Sequence, residues 1–160
     1  MAAEVVPRSV YSALAYSEIV PDEDVDEWEA STGISIKDTD GAGGYTPTAS
    51  RPEHLVVRYV YPVNEASSSV IGFDLASDPL RAAGAERSLA AAAPVFVGPI
   101  KLASSGGPGL FVIHAVRDDR GTPIGFVSSG IDVSSTLSTV ESLPNVASVA
   151  IDVEGQALRG

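Results

Sequence analysis

The sequence predicts an α+β fold, an antiparallel sheet with helices packed on one face, and two stretches carry that prediction. Leu110 to Val116 and Pro123 to Val133 are long apolar strands joined at Asp118-Asp119-Arg120-Gly121, a connection short enough to make them an antiparallel pair. Upstream, Val70 to Val97 reads as strand, capped helix, strand. Strands in hairpin order with helices laid across them are α+β layer logic.

The upstream stretch is the more informative. Val70 to Leu75 is apolar and β-branched at its start, which predicts a strand. Ser77 and Asp78 offer N-cap oxygens, and Pro79 fits a first helical turn, where its missing N–H costs nothing. Leu80 to Ala93 is rich in alanine, the best helix former. Leu80, Gly84 and Arg87 or Ser88 would share one face, making a thin helix able to lie close to a sheet. Pro94 ends it, and Val95-Phe96-Val97 opens a strand that Gly98-Pro99 interrupts.

The other elements follow in chain order. Leu14 to Val20 predicts a strand, and Pro21-Asp22-Glu23-Asp24 starts a helix with acids at its positive end. Val25 and Trp28 fall on that helix's buried side, and Gly33 suits its C-terminal cap. Ile34 to Lys37 is a short alternating strand, and 38 to 52 has loop chemistry. His54 to Tyr61 is apolar on both faces, which predicts a central strand. Pro62 to Ser69 reads as a polar loop, and Ser104 to Gly109 as a hairpin connection. Asp132 to Leu143 is expected to be a short helix, Val146 to Val153 a closing strand, and the tail to Gly160 frayed.

Bulk properties bound the function. A chain of 160 residues is expected to be one domain, burying about 70% of its unfolded surface. Its net charge of −11 argues against a phosphate-backbone partner, so no nucleic acid is expected. Cysteine is absent, which excludes disulfides, zinc-thiolate sites and cysteine nucleophiles. No run of 18 or more apolar residues exists. Six acids between Asp22 and Glu29 read as a solvated helix face rather than a cation site. Asp38-Thr39-Asp40-Gly41 resembles the start of a calcium loop but lacks the later ligands, so no metal is expected.

Enzymatic constellations are missing. No G-x-S-x-G elbow, H-E-x-x-H helix or phosphate-binding G-x-x-x-x-G-K loop occurs. His54 and His114 are the only histidines, and His114, in an apolar strand, reads as a core or pocket residue rather than a metal ligand. Neither catalysis nor a cofactor is expected.

Several separated motifs resemble one family. Phe73-Asp74-Leu75-Ala76-Ser77-Asp78-Pro79, a helix, Gly98-Pro99-Ile100-Lys101-Leu102 and Pro108-Gly109-Leu110-Phe111-Val112-Ile113 are similar to the signature of the CHASE domain. Leu14 to Val20 resembles that family's first strand, and Tyr59-Val60-Tyr61-Pro62 the strand before the signature. The resemblance covers roughly residues 11 to 153. It implies a PAS-like sheet and an extracytoplasmic sensory domain of a histidine kinase or a nucleotide or diguanylate cyclase. Residues 1 to 13 would be the remnant of a stalk, 14 to 153 the sensory core and 154 to 160 a tail. It further implies membrane spans flanking this segment and a homodimer in the full-length receptor, with the isolated domain associating weakly.

The family resemblance also suggests where a small molecule would sit. In plant members a cytokinin is held by an acidic side chain on the helix after the signature, and Arg81 occupies that position here. An arginine there favours a carboxylate, phosphate or other anion, which its planar fork pairs with bidentately. By position the remaining contacts fall on Tyr61 and Phe73 as walls, Leu75 near the helix cap, Val97, Ala103 by its main chain, Phe111 and Ile113 on one strand face, and Ile131. Each is also explained as ordinary core. The alternatives to a ligand-binding sensor are an interaction or dimerisation module with a filled core and, behind it, a small hydrolase. An open cavity between the sheet and the Leu80 helix would separate the first two.

Overall fold

The computed structural model describes residues 11–61, 65–103, 106–134, 137–138, 150–153 and 156–159. Its centre is a five-stranded antiparallel sheet built from β1 (Tyr11–Pro21), β4 (Glu53–Tyr61), β5 (Val95–Lys101), β6 (Pro108–Arg117) and β7 (Pro123–Asp132). The strand order is β4-β1-β7-β6-β5. With helix α3 (Pro79–Ala90) laid across one face, this is the PAS-like α+β layer. A hairpin of β2 (Lys37–Thr39) and β3 (Tyr45–Pro47) and another of β8 (Ala150–Val153) and β9 (Gln156–Arg159) stand beside the main sheet.

Alternation along the strands decides what the sheet buries. On β6, Phe111, Ile113 and Ala115 point to the core, and their partners on β7 are Gly130, Ser128 and Phe126. Across β1 the same face continues through Ala15 and Ser17 to Val60 and Val57 of β4. Phe73, Leu75 and Ala85 close it from above. The opposite pleat carries Val20 and Val56, which with Ile36 form a second cluster under Val25 and Trp28 of α1 (Val25–Thr32). The Trp28 indole donates to Glu18 of β1 at 2.7 Å, and Gly33 caps α1 in the left-handed region.

Several local expectations are corrected. The 70–75 stretch is no strand: Val70 to Gly72 turn, and Phe73 and Asp74 make single bridges to Lys37 and Val56. Gly72, at φ +82°, has no room for a Cβ because the Ser35 carbonyl occupies that place. The β4 strand lies at a sheet edge, not the centre. Both its faces are apolar because one meets the core and the other the α1 cluster. The strand expected at Ile34 begins at Lys37, residues Glu65–Ser68 form a one-turn helix, α2, and the 38–52 loop contains β3. Pro99 does not end β5, which continues through a cis Gly98-Pro99 bond and a register shift. The tail is paired, since Gln156–Arg159 is β9. The expected stalk remnant up to residue 10, most of the 132–143 helix and the start of the closing strand lie outside the described residues.

Helix α3 packs through a different face from the one its leucine suggests. Arg81, Gly84, Ala85 and Ser88 are buried while Leu80 is 52% exposed. Asp78 caps it by accepting from the Leu80 and Arg81 amides, each at 3.0 Å. It ends at Ala90, before the rest of the alanine run. Ser88 accepts from the Ala115 amide at 2.7 Å, supplying a partner where β5 pairs no further along β6 than Ile113. Gly84 sets the closeness of the helix, because a Cβ there would overlap Val97 Cγ2. Gly84→Ala should therefore cost about 1–3 kcal/mol of unfolding free energy. The same change in a Val97→Ala background should gain toward the about 1 kcal/mol that alanine's helix propensity offers. Equal effects of Gly84→Ala in the two backgrounds, by urea denaturation, would contradict this packing.

Candidate functional site

Two features meet under the start of α3: a buried charge cluster and a cavity. The cluster centres on Asp74, which has no exposed surface. Its carboxylate accepts from the Leu55 and Ala76 amides at 2.8 Å each, from His54 Nδ1 at 2.9 Å, and from Arg51. Arg51 also pairs with Asp38, and His54 Nε2 lies 3.0 Å from Asp22. Three carboxylates thus surround one arginine and one histidine. Asp38 further accepts from Thr48 and the Ala49 amide, and Asp22 from Ser50 and the Arg51 amide. Nearly every lone pair has a donor, as burial of charge demands.

The backbone seals the same joint. Val57 donates to the Phe73 carbonyl at 3.0 Å, and Gly72 returns a bond to Val57 at 2.9 Å. Asp74 donates to Lys37, and Lys37 to Gly72. The signature segment is therefore threaded between the β4 edge and Lys37 of β2. That placement aims Phe73 and Leu75 into the core and starts α3 above β6.

Between this segment and the core face of the sheet lies a cavity that, with its open mouth, encloses about 490 Å³. Phe73, Leu75, Arg81, Ala103 and Phe111 line it, with Ala13 and Ala15 from β1 and Ser128, Ser129 and Gly130 from β7. Val57, Val70, Ser67 and Leu102 complete the wall. Small side chains on β1 and β7 create the space by leaving the sheet's centre thin. The Ser128 hydroxyl has no hydrogen-bond partner among the described residues, whereas Ser129 donates to the Ala13 carbonyl at 2.7 Å.

Arg81 is the charged residue of this wall, and only 4% of it is exposed. Its guanidinium carbon stands 5.4 Å from the Phe73 ring centre and 5.5 Å from that of Phe111, a cation–π arrangement on two aromatic walls. Nη1 donates to Asp78 at 2.5 Å and Nη2 to the Lys101 carbonyl at 2.7 Å. Burial lowers its pKa, and Asp78 works against that. Among the described residues these two acceptors take up two of the five guanidinium N–H groups. Asp78 already balances the charge, so the anion preference expected of Arg81 does not follow from Arg81 alone.

The structure brings five of the nine residues expected to touch a ligand into this cavity: Phe73, Leu75, Arg81, Ala103 and Phe111. The other four stand elsewhere. Tyr61 is 77% exposed, on the pleat facing away from the core, opposite Leu14. Val97 and Ile113 are core residues beneath Gly84 of α3. Ile131 pairs with Leu110 on the outer pleat. His114 is neither core nor pocket: it is half-buried on the outer pleat, and its Nδ1 has no partner among the described residues. Ala13, Ala15, Ser128 and Gly130 were not anticipated, although their small size at alternate positions of two strands is the signal that finds them. Among the described residues no group of three His, Cys, Asp or Glu could hold a metal ion, and no helix is long and apolar enough to cross a membrane.

The cluster makes stability depend on acid. Hydrogen bonds from Ser50 and His54 hold Asp22 at about 2, below its ordinary 3.8. A folded-state value below the unfolded one stabilises the fold above about pH 3.8, and that contribution fades as pH falls toward 2. Asp22→Asn should flatten the fall in unfolding free energy between these pH values in a urea series. An unchanged slope would show that Asp22 is not held this way.

A family profile described as the CHASE domain matches residues 5–157. No curated protein sequence matches the chain. Among solved structures, the ligand-binding domain of the Pseudomonas fluorescens chemoreceptor CtaA, in complex with L-serine, superposes with a TM-score of 0.49 at 12% identity. That match covers 94% of this chain and 48% of the other, so the chain spans about half the length of that domain. With nearly its whole length matched by the profile, the chain belongs to the CHASE family of extracytoplasmic sensory domains.

Proposed function

We propose that this chain is one sensory domain that binds a small organic molecule in the cavity under α3 and performs no chemistry on it. It serves a membrane-anchored receptor, a histidine kinase or a nucleotide or diguanylate cyclase, whose spans flank this segment and whose full-length form is a homodimer. The observation that carries the reading is a cavity under α3 whose mainly apolar wall also holds the Arg81 guanidinium and the Ser128 hydroxyl. Polar donors on such a wall give a guest that supplies acceptors a place to bond. A filled-core interaction module has no use for such a space.

Position explains how binding would reach the receptor. The cavity touches β7, the central strand of the sheet, and its neighbour β1, and the 3₁₀ turn Leu75–Ser77 leads into α3. A ligand that contacts strands and helix together favours the sheet–helix spacing that fits it. It shifts the receptor by its difference in affinity for the two spacings and by no more.

Calorimetry against a panel of small organic acids, amides and adenine derivatives tests the reading. Arg81→Ala should weaken binding of any hit by about 1.5–3 kcal/mol, the range for a hydrogen bond to a charged group. Arg81 also bonds to Asp78 and Lys101, so the unfolding midpoint of that variant is measured beside its affinity. Ser128→Ala removes no side-chain hydrogen bond among the described residues, and it should cost about 0.5–1.5 kcal/mol of binding with the fold unchanged. A hit indifferent to both substitutions would place binding elsewhere.

A further inference from the structure

On the far side of Arg81 lies a second hollow, of about 390 Å³ with its mouth. It shares Phe73, Arg81, Leu102 and Ala103 with the first cavity, so Arg81 is a partition with a chamber on each side. Its other walls are the loop from Thr39 to Tyr45, Asp78 and Lys101. The first chamber is mainly apolar and hydroxyl-lined. The second holds two cations, Arg81 and Lys101, against one carboxylate, in a chain whose net charge is −11.

The acids nearby are committed. Asp78 pairs with Arg81 and caps α3. Asp40 is turned into its own loop, where Oδ1 accepts from the amides of Ala42, Gly43 and Gly44 at 2.8–3.0 Å. Lys101 Nζ has no carboxylate partner among the described residues. Its acceptor is the neutral Ala42 carbonyl, at 2.6 Å. Gly43, at φ +107°, leaves that ammonium its place, since a Cβ there would come within 3.3 Å of it. An ammonium without a counterion, on the rim of a hollow whose back wall is a guanidinium, is a seat for a carboxylate. Lys101 is exposed, so it contributes the modest attraction of a surface charge, to which Arg81 on the same hollow adds.

We propose that the second hollow binds the carboxylate end of a ligand whose uncharged body fills the first. Lys101 selects the carboxylate, and Arg81 donates to both ends. The inference rests on the cavity reading above and narrows its ligand to small monocarboxylates with a compact apolar or hydroxylated body. The carboxylate takes the place of the Ala42 carbonyl on Lys101, so the 39–45 loop changes partner when the site fills.

The test is calorimetry with propionate, isovalerate, 3-hydroxybutyrate and benzoate, each beside its primary amide, on wild-type, Lys101→Gln and Lys101→Arg protein. Wild type should bind at least one carboxylate about tenfold more tightly than its amide, as one charge-assisted bond implies. Lys101→Gln should abolish that preference, and Lys101→Arg should keep it. Amides bound as tightly as acids by wild type would overturn the carboxylate assignment, and so would a preference that survives Lys101→Gln. Either result still shows binding, and its loss in Ser128→Ala would leave the cavity reading standing, so the two ideas fail separately.

Discussion

The Asp74 carboxylate, fully buried, accepts hydrogen bonds from the edge of β4, from the turn that precedes α3, and from Arg51 and His54. Four donors on one group fix the relative position of two pieces of chain, 51–55 and 74–76, that no long strand pairing joins. A carboxylate taken out of water without such partners would cost several kcal/mol. With them it becomes a joint whose geometry is set by directional bonds rather than by apolar contact alone. The 72–74 bridges to Val57 and Lys37 work in the same place. Everything that forms the roof of the cavity hangs from that joint: Phe73, Leu75, the Asp78 cap and Arg81.

The roof is polar where an ordinary core would be apolar. Arg81 sits at a buried helix position between two phenylalanines, with Asp78 supplying both the N-cap and the counter-charge. That double use of Asp78 lets a guanidinium line a cavity without an uncompensated charge. It also moves the electrostatic asymmetry of the site from Arg81 to Lys101, whose ammonium bonds, among the described residues, to a peptide carbonyl. Two hollows lie side by side with Arg81 lining both, and the second adds Lys101 and Asp78.

Much of this was legible beforehand, and the gaps have physical causes. The β6–β7 hairpin announced itself by alternation and loop length, and Asp78-Pro79 by cap chemistry. The 70–75 run misled because β-branched residues favour a strand only where a neighbouring strand is on offer. Here Gly72 turns the chain, and the stretch makes just one bridge to the edge of β4, at Val56, and one to Lys37 of β2. The face of α3 was missed by one residue because Leu80 is more apolar than Arg81, yet an arginine with a cap carboxylate and two aromatic rings can be buried. The Asp74 cluster could not be read at all. Asp22, Asp38, Arg51, His54 and Asp74 are scattered over more than fifty positions, and only tertiary folding brings them together. Tyr61 failed as a ligand wall for a simpler reason, since pleat parity at the end of β4 turns it outward.

A crystal structure of the domain purified without refolding, with mass spectrometry of the molecule it carries, tests the central claim most directly. The account predicts density for one small molecule in the cavity that Phe73 and Phe111 line, within hydrogen-bond distance of Arg81 and Ser128. A cavity filled by repacked side chains, with a bound molecule found only outside it, would contradict the account.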